Sequence, residues 1–301
     1  MDRRSNLIIK EKPELRRASM VCGINGWVDG GEAATGTVEY MIKKLKAKEF
    51  AEMPLDRFHI YQVPGQVSLR PHIKIQDGIL KEHSYNENHF YYWINPNAKD
   101  DLVLFVGAEP CLDWEGYAGA ILDIADELNV GRIYLPGGVM DETPHTREPG
   151  VSCTCSSKAL KEEMKKYCMD FGSYEGPGSF ATTLLYLCRD RHIEVVNIMV
   201  RSTYYPEFNV VISHNPRAIR AIMVRLNGML RLNMDISELD KQVDELEVKL
   251  GFMASQNPEF RAYIDELEKD FVEVKYEEPL DVLADEAIQF AEDFLKEKRG
   301  D

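Results

Sequence analysis

The chain has 301 residues, of which 44% are hydrophobic and 29% charged, and its formal net charge is −15. These proportions are ordinary for a globular protein, and no apolar run approaches the roughly 20 residues that cross a bilayer. The stretch 1–17 lacks an apolar core of signal-peptide length, and six scattered cysteines do not form a disulfide framework. We therefore expect a cytoplasmic protein with reduced thiols and no membrane partner.

The negative charge is concentrated at the end of the chain. Residues 235–301 hold 21 acidic and 8 basic side chains, a net charge of 8 − 21 = −13, which leaves −2 for residues 1–234. Acidic surfaces repel phosphate backbones, so we do not expect nucleic acid as a partner. The charge step also predicts two domains, an α/β domain over 1–234 and an acidic helical extension over 235–301.

The first predicted unit is a strand, a glycine turn and a helix. An apolar run at Met20–Ile24 ends in glycines, and a helical pattern follows over 32–46. The start of such a helix can hold an anion. The glycines lack the spacing of a phosphate-binding loop or a dinucleotide fingerprint, and a tight turn is the favoured explanation for them.

The next segment has the alternation of β-strands. Polar and apolar positions alternate between turn residues, which predicts strands over 58–63, 66–75, 78–84 and 89–94. The segment holds four histidines whose spacing is irregular and which lack evident carboxylate partners: His59, His72, His83 and His89. We predict no metal site there.

A strand–helix–strand unit follows. Apolar runs at Leu102–Val106 and Ile133–Leu135 flank a helical pattern over 114–128, which predicts two parallel strands, each ending in a glycine-rich segment. Ligands bind at the carboxyl ends of parallel strands. Further strands are predicted over 151–156 and 194–200, and helices over 158–168, 178–191 and 216–232. The pattern predicts a three-layer α/β/α fold with a mostly parallel mixed sheet.

Two cysteines share one face of the predicted strand 151–156. Cys153 and Cys155 form a Cys-x-Cys pair, a spacing that can contribute to a zinc site. The other cysteines are isolated and supply no second pair. Small, half-buried strand residues are therefore the favoured explanation.

The last third has a helical pattern. Apolar residues between Ile236 and Met253 repeat every three or four positions, Asn257-Pro258 interrupts them, and further runs follow over 260–271 and 279–294. This predicts a helical hairpin plus one more helix, with narrow apolar seams and acidic outer faces. The extension is expected to pack on its own domain, a sister subunit or a partner, and we favour a role in assembly over one in catalysis.

His145 and Arg147 are the best candidates for chemistry. Histidine transfers protons near neutral pH, and arginine binds a carboxylate or phosphate with two hydrogen bonds. One hypothesis is therefore an enzyme on a small anionic substrate, nucleoside-like or phosphorylated, with His145 as general acid/base in an open cleft. The alternatives are a rigid loop in which Arg147 pairs with a carboxylate, and a ligand sensor without chemistry. The common nucleophile and metal motifs of enzymes are absent.

Further polar and aromatic residues are predicted at the same edge of the sheet. They are Asn25, Trp27, Glu109, Asp113, Gly138, Gly176 and Tyr204. Convergence of this kind is the default hypothesis for a binding pocket. Asp113 also has a structural explanation, as the N-cap of the helix over 114–128. No pattern indicates a metal or a cofactor.

Several of these motifs occur together in a known family. They are Gly26-Trp27-Val28-Asp29, Gly107-Ala108-Glu109-Pro110 with Trp114, Leu135-Pro136-Gly137-Gly138, Pro144-His145-Thr146-Arg147, Tyr174-Glu175-Gly176-Pro177, Tyr204-Tyr205-Pro206 and Asn215-Pro216. In these motifs and in their order the chain resembles the proteasome assembly chaperone 2 family, in its bacterial and archaeal branch. The resemblance implies a three-layer α/β fold similar to the nucleoside phosphorylase/hydrolase architecture, a homo-oligomer, and a protein-binding assembly role without turnover.

Two features associated with the family are missing. Related archaeal proteins bind proteasome particles through a C-terminal hydrophobic-Tyr-any tail, whereas this sequence ends Lys296-Glu297-Lys298-Arg299-Gly300-Asp301. We therefore do not expect direct docking into a proteasome ring. Some prokaryotic members are labelled ATP-grasp carboxylate–amine ligases. That activity ranks lowest, because the glycine-rich nucleotide loop and the paired acidic metal pattern are missing here.

Overall fold

The computed structural model describes residues 7–62, 70–85, 87–96, 100–167, 169–274 and 276. The strands within these ranges are β1 (Ile8–Ile9), β2 (Arg17–Asn25), β3 (Lys48–Glu52), β4 (His72–Gln76), β5 (Ile79–Ser84), β6 (His89–Trp93), β7 (Asp100–Ala108), β8 (Val130–Asp141), β9 (Val151–Cys155), β10 (Glu194–Tyr205) and β11 (Val210–Val211). The helices are α1 (Thr35–Leu45), α2 (Trp114–Glu127), α3 (Lys158–Met164), α4 (Phe180–Leu187), α5 (Pro216–Leu230), α6 (Ser237–Gln256) and α7 (Pro258–Asp270). The helix predicted over 279–294 lies outside the described residues.

Nine strands form one mixed sheet in the order β1-β3-β6-β7-β2-β8-β10-β11, with β9 also paired to β10. The central strands β7, β2, β8 and β10 are parallel, whereas the pairs that flank them are antiparallel. The strand–helix–strand unit β7–α2–β8 is present as predicted, but β2 lies between its two strands. The four parallel strands therefore end at one edge of the sheet, after Asn25, Ala108, Asp141 and Tyr205.

Helices cover both faces of the sheet. Met20 and Cys22 on β2 point into a core with α2 and α4, while Val21 between them points into a second core with α1, α3 and α5. Successive strand side chains alternate between faces, so a strand buried on both sides is apolar throughout. The predicted three-layer α/β/α architecture is confirmed.

Some strand predictions were wrong in extent. The predicted strand over 58–63 is absent from its described part, 58–62. A turn ends at Phe58 instead, and the Phe58 and His59 amides both donate to the Leu55 carbonyl. Strand β3 was not predicted. The glycines at 137 and 138 were expected to end β8, which instead continues to Asp141 in parallel register with β10.

The strands β4 and β5 form a separate two-stranded hairpin in which every residue is exposed. The turn residues Asp77 and Gly78 both have positive φ, of 51° and 75°. Two positive φ angles are the requirement of a two-residue type I′ turn, which matches the right-handed twist of a hairpin. An isolated two-stranded hairpin of this size is only marginally stable in water. This hairpin therefore differs from the other strands, which belong to the nine-stranded sheet.

The hairpin α6–α7 packs on the α/β layers of its own chain. Leu239 of α6 joins the core beneath α5, and Phe260 and Ile264 of α7 pack around Tyr205 at the end of β10. The predicted helical hairpin is present. Leu239, Val243 and Leu250 of its predicted apolar seam are buried within the chain, whereas Met253 at the end of the seam is 44% exposed. The domain boundary after residue 234, in the segment between α5 and α6, stays a prediction.

Candidate functional site

The predicted site residues fall into two groups at the carboxyl edge of the parallel strands. One group surrounds the ends of β2 and β7 and includes Asn25, Trp27 and Glu109. The other surrounds the end of β10 and includes His145 and Arg147. In the sheet, β8 lies between β2, which ends in the first group, and β10, which ends in the second. The segment after β2 packs on β8.

Glu109 joins three chain segments in the first group. Its backbone amide donates to the Asn25 carbonyl at 2.6 Å. Its carboxylate accepts from the Trp27 amide and from the Phe180 amide, each at 3.0 Å. Both carboxylate oxygens are therefore engaged with backbone, and Glu109 holds the loop after β2 against the start of α4. The indole of Trp27 stands 60% exposed above this junction.

Gly138 allows the loop after β2 to lie directly on β8. Its amide donates to the Val28 carbonyl at 2.8 Å, and a Cβ at this position would lie 2.4 Å from the Gly30 carbonyl oxygen. Only a residue without a side chain permits this approach. Gly138, which was predicted as a binding residue, therefore has a packing role within β8.

Asp29 occupies the start of α1, the position at which an anion was considered. One carboxylate oxygen accepts from the Ala34 and Thr35 amides at 2.7 and 3.1 Å, and the other accepts from the Thr35 hydroxyl at 2.6 Å. Burial raises the pKa of Asp29 to about 6, although these hydrogen bonds oppose the shift. The first amides of α1 thus already bind a carboxylate of the chain itself.

Three further predicted residues are separate from these contacts. Asp113 caps α2 by accepting from the Gly116 amide at 3.1 Å, as the structural explanation expected, and it pairs with Arg57 at 2.5 Å. Gly176 lies in an exposed loop before α4. Tyr204 is half-buried and lies opposite Val211 on β11.

His145 is buried beneath the α6–α7 hairpin, with only 4% of its surface exposed. Its backbone amide donates to the Tyr205 hydroxyl at 2.8 Å, and its Nδ1 lies 2.6 Å from the same oxygen. Because the hydroxyl oxygen already accepts the amide hydrogen, its own hydrogen is free to be donated to Nδ1 of a neutral ring. Phe260 packs edge-on against Tyr205 from the other side.

The environment of this pair keeps both residues neutral. Burial, followed by the charge of Arg217, lowers the pKa of His145 to about 4. Burial likewise raises the pKa of Tyr205 to about 12. General acid/base catalysis by His145 required an open cleft with a carboxylate within hydrogen-bond reach of the ring, whereas the ring is buried and its Nδ1 is hydrogen-bonded to a tyrosine.

Arg147 is also engaged by the hairpin. Its guanidinium lies 3.5 Å from the Glu268 carboxylate of α7, which also accepts from the Thr146 hydroxyl. The Glu148 amide donates to Glu273 at 2.8 Å. The segment 145–148 therefore matches the alternative interpretation of a rigid loop in which Arg147 pairs with a carboxylate.

Three residues that organise this edge were not predicted as site residues: Asp29, Tyr205 and Glu268. Tyr205 is adjacent to Tyr204, which was predicted as a site residue. Both faces of β10 are buried, so the alternation of polar and apolar residues along the strand does not distinguish the two tyrosines. Glu268 comes from an element whose docking position has no local sequence signal.

The histidine prediction needs one correction. His89 has carboxylate partners, with Nδ1 2.9 Å from Glu49 and Nε2 2.7 Å from Glu87. A β-bulge between Glu49 and Ala51 changes the alternation of β3, and ligand atoms of Glu49, Glu52 and His89 lie within 4.8 Å of one another. The Lys10 ammonium pairs with both Glu49 and Glu52, so a cation of the chain already lies at this cluster.

Comparison with known proteins identifies the family. The model of the PAC2 family matches residues 23–254, which span both groups of site residues and most of α6. The chain belongs to the PAC2 family. No curated protein matches this PAC2 chain.

Solved structures of similar proteins support the assignment. A proteasome-assembly chaperone homologue of Mycobacterium tuberculosis has a TM-score of 0.70 and 25% identity over 82% of this chain and 99% of its own. A PAC2 family protein of Streptomyces avermitilis has a TM-score of 0.69 and 25% identity, with the same coverage. An archaeal proteasome activator of Pyrococcus furiosus shares the fold, with a TM-score of 0.62 and 23% identity over 82% of this chain and 97% of its own.

None of the helices in the described ranges combines the length and the apolar character that a membrane span requires.

Proposed function

We propose that this PAC2 protein is an assembly-chaperone-like, protein-binding module that works as a homo-oligomer in the cytoplasm without catalysing a reaction. The similar proteins described as a proteasome-assembly chaperone homologue and a proteasome activator support a protein as the ligand. The engaged states of Glu109, His145 and Arg147 favour binding over turnover, since each polar group is occupied by another part of the chain.

The β4–β5 hairpin is the observation that carries the proposal. It presents four large aliphatic side chains to solvent, Ile73, Ile75, Ile79 and Leu80, with exposed fractions between 49% and 62%. Apolar patches on projecting elements mark protein interaction sites. A marginal two-stranded element also gains most from additional strands. We assign the hairpin to contact between subunits, in which the hairpin of one copy adds to that of another.

Light scattering after size-exclusion chromatography tests this assignment. The cross-strand pair Ile75 and Leu80 is replaced by lysine in the double variant I75K/L80K. Wild type is expected at a multiple of the 34.5 kDa chain mass, and the double variant at the mass of one chain. Val211→Lys, a change at another exposed aliphatic residue, is the control and is expected to keep the wild-type mass. A monomeric wild type, or an unchanged mass of the double variant, contradicts the assignment.

A second surface suits a protein partner. On α6, Val248 and Phe252 are 73% and 67% exposed, and they lie on the side opposite to the buried Leu250. They occur within the acidic segment that begins at residue 235. A partner for this surface would offer an apolar pocket with a basic rim, because complementary charge directs association.

The enzyme hypothesis stays second to this proposal. It would require the α6–α7 hairpin to leave the end of β10 and expose His145, and no observation favours such a movement. The cytoplasmic location is proposed because the described cysteines are free thiols, the form that reducing compartments maintain.

A further inference from the structure

Two thiols on β9 lie almost in contact. The Sγ atoms of Cys153 and Cys155 are 3.4 Å apart. The two residues project from the same face of the strand, opposite Ile198 and Val196 of β10. A disulfide requires the sulfurs to come to about 2.05 Å, so they need to approach by only about 1.4 Å.

The strand geometry permits this bond at its limit. Two residues of an extended strand span roughly 6.6 Å between Cα atoms, and disulfides bridge Cα separations up to about 6.8 Å. A bridge near this limit is more reducible than one near the middle of the range. The spacing therefore suits a bond that forms and breaks, and suits a permanent structural disulfide poorly.

The two thiols differ in environment, which assigns them different roles. Cys153 is buried against the apolar side of α3, whereas Cys155 is half-buried near the end of β9. The hydrogen bond from Cys153 lowers the pKa of Cys155, and the charges of Arg132 and Lys161 act in the same direction. Cys155 is thus the thiol that is more readily deprotonated and reached from solvent, and thiolates are the reactive form of cysteine.

We propose that Cys153 and Cys155 form a reversible dithiol site that hydrogen peroxide oxidises. The Cys155 thiolate attacks one peroxide oxygen, the O–O bond breaks, and with one proton the products are a Cys155 sulfenic acid and water. The Cys153 thiol then attacks the sulfenic sulfur, an S–S bond forms, and the hydroxyl leaves as a second water. The dithiol loses two electrons and two protons, the peroxide gains them, and a thiol reductant reverses the change.

Peptide mass spectrometry of the intact protein tests the proposal. Trypsin cleavage after Arg147 and Lys158 yields a peptide, 148–158, that contains Cys153 and Cys155 and no other cysteine. The protein is treated with hydrogen peroxide, alkylated, and then digested. The peptide is expected without alkyl groups and lighter by two hydrogens than the unmodified dithiol. Treatment with dithiothreitol before alkylation is expected to restore two alkyl groups.

Single variants separate the roles of the two thiols. Cys153→Ser is expected to leave Cys155 as a sulfenic acid that dimedone traps, because the second thiol is missing. Cys155→Ser is expected to slow oxidation of the peptide about tenfold, because the buried thiol remains. Cys111→Ser, at a half-buried cysteine on another segment, is the control and is expected to leave the oxidation of 148–158 unchanged.

Three outcomes would overturn the proposal. The first is a peptide 148–158 that keeps two alkyl groups at a peroxide concentration that oxidises Cys111. The second is a peptide linked to another cysteine of the chain. The third is direct conversion of Cys155 to the sulfonic acid with no disulfide stage. The wild-type measurement decides among these even if a variant fails to fold.

Discussion

At the scale of single residues, His145 and Tyr205 illustrate how a reactive residue type can serve structure. The Tyr205 hydroxyl is hydrogen-bonded to both the backbone amide and the Nδ1 of His145, and Phe260 and Ile264 of α7 pack around Tyr205. A buried polar group without a partner costs about 1–3 kcal/mol, so the pairing stabilises the junction between the hairpin and the sheet. Because the charged form of His145 is costly to bury, the folded state favours the neutral form of the ring.

Folding stability should therefore depend on the charge of His145. The pKa falls from 6.5 to about 4 on folding, so between these pH values the unfolded chain binds the proton more readily. The free energy of unfolding contributed by His145 is complete above pH 6.5 and is lost as the pH falls towards 4, with an upper limit of about 3 kcal/mol.

Urea unfolding of wild type and His145→Asn across this pH range measures the effect. Asparagine does not titrate but can still hydrogen-bond to Tyr205. The difference in unfolding free energy, wild type minus variant, should decrease on acidification. Comparison with the variant removes the opposite contribution of Asp29, whose raised pKa of about 6 favours the folded state on acidification. A difference that is constant with pH would contradict the prediction.

The motif around His145 was located correctly from the sequence, but its environment was not. Residue type and the position after β8 placed His145 and Arg147 near the sheet edge, since both are local properties. Thr146 and Arg147 pair with Glu268, a residue more than 100 positions away in the chain, and Phe260 of the same hairpin packs on Tyr205. Such contacts leave no local pattern in the sequence. The sequence therefore could not indicate that another segment of the chain covers His145.

At the scale of elements, periodicity predicted α6 and α7 well. The spacing of three and four residues identified the buried side of α6, where Leu239, Val243 and Leu250 are all buried. Periodicity indicates which side of a helix is apolar and does not indicate what covers it. The cover proved to be the chain's own α/β layers. The glycines at 137 and 138 show the converse error, because they permit close backbone approach within a strand that continues.

Substitutions on the two sides of α6 should differ sharply. Leu250 is 3% exposed and Val248 is 73% exposed, and both are interior residues of the same helix. Leu250→Ala should lower the free energy of unfolding by about 2–4 kcal/mol, because burial is lost and a cavity is left. Val248→Ala is the matched control and should change it by less than about 0.5 kcal/mol. Chemical unfolding measures both, and equal effects would contradict the assigned packing of α6.

At the scale of the whole molecule, the three-layer architecture could be derived from the order of strand and helix patterns. Alternating units predict a mostly parallel sheet with helices on both faces. The order of the strands was not available in the same way. β2 inserts between β7 and β8, and β3 joins through β6, arrangements that depend on pairing between distant segments.

Residues 1–234 carry a net charge of −2 and residues 235–301 a net charge of −13, and a partner is expected on the acidic segment. A photo-crosslinking residue at Phe252 should yield adducts with another protein in cells. The same residue at Tyr186, an exposed aromatic on α4, is the control and should not. Crosslinking of purified complexes at Phe252 should weaken in high salt, because exposed charges are screened beyond about 10 Å at 0.1 M. Adducts of Phe252 with the chain itself alone would contradict a separate partner.

The carboxylate of Glu109 has a consequence for the Trp27 indole. The Trp27 amide itself donates to the Glu109 carboxylate, and the Gly138 amide of β8 holds the same loop at the next residue by donating to the Val28 carbonyl. A large aromatic side chain is thereby presented to water on a backbone with little remaining freedom. Ordering of loops and side chains opposes association by about 0.5–1.5 kcal/mol for each immobilised side chain. A protein that binds at this edge would not need to order the backbone of this loop, because folding has already ordered it.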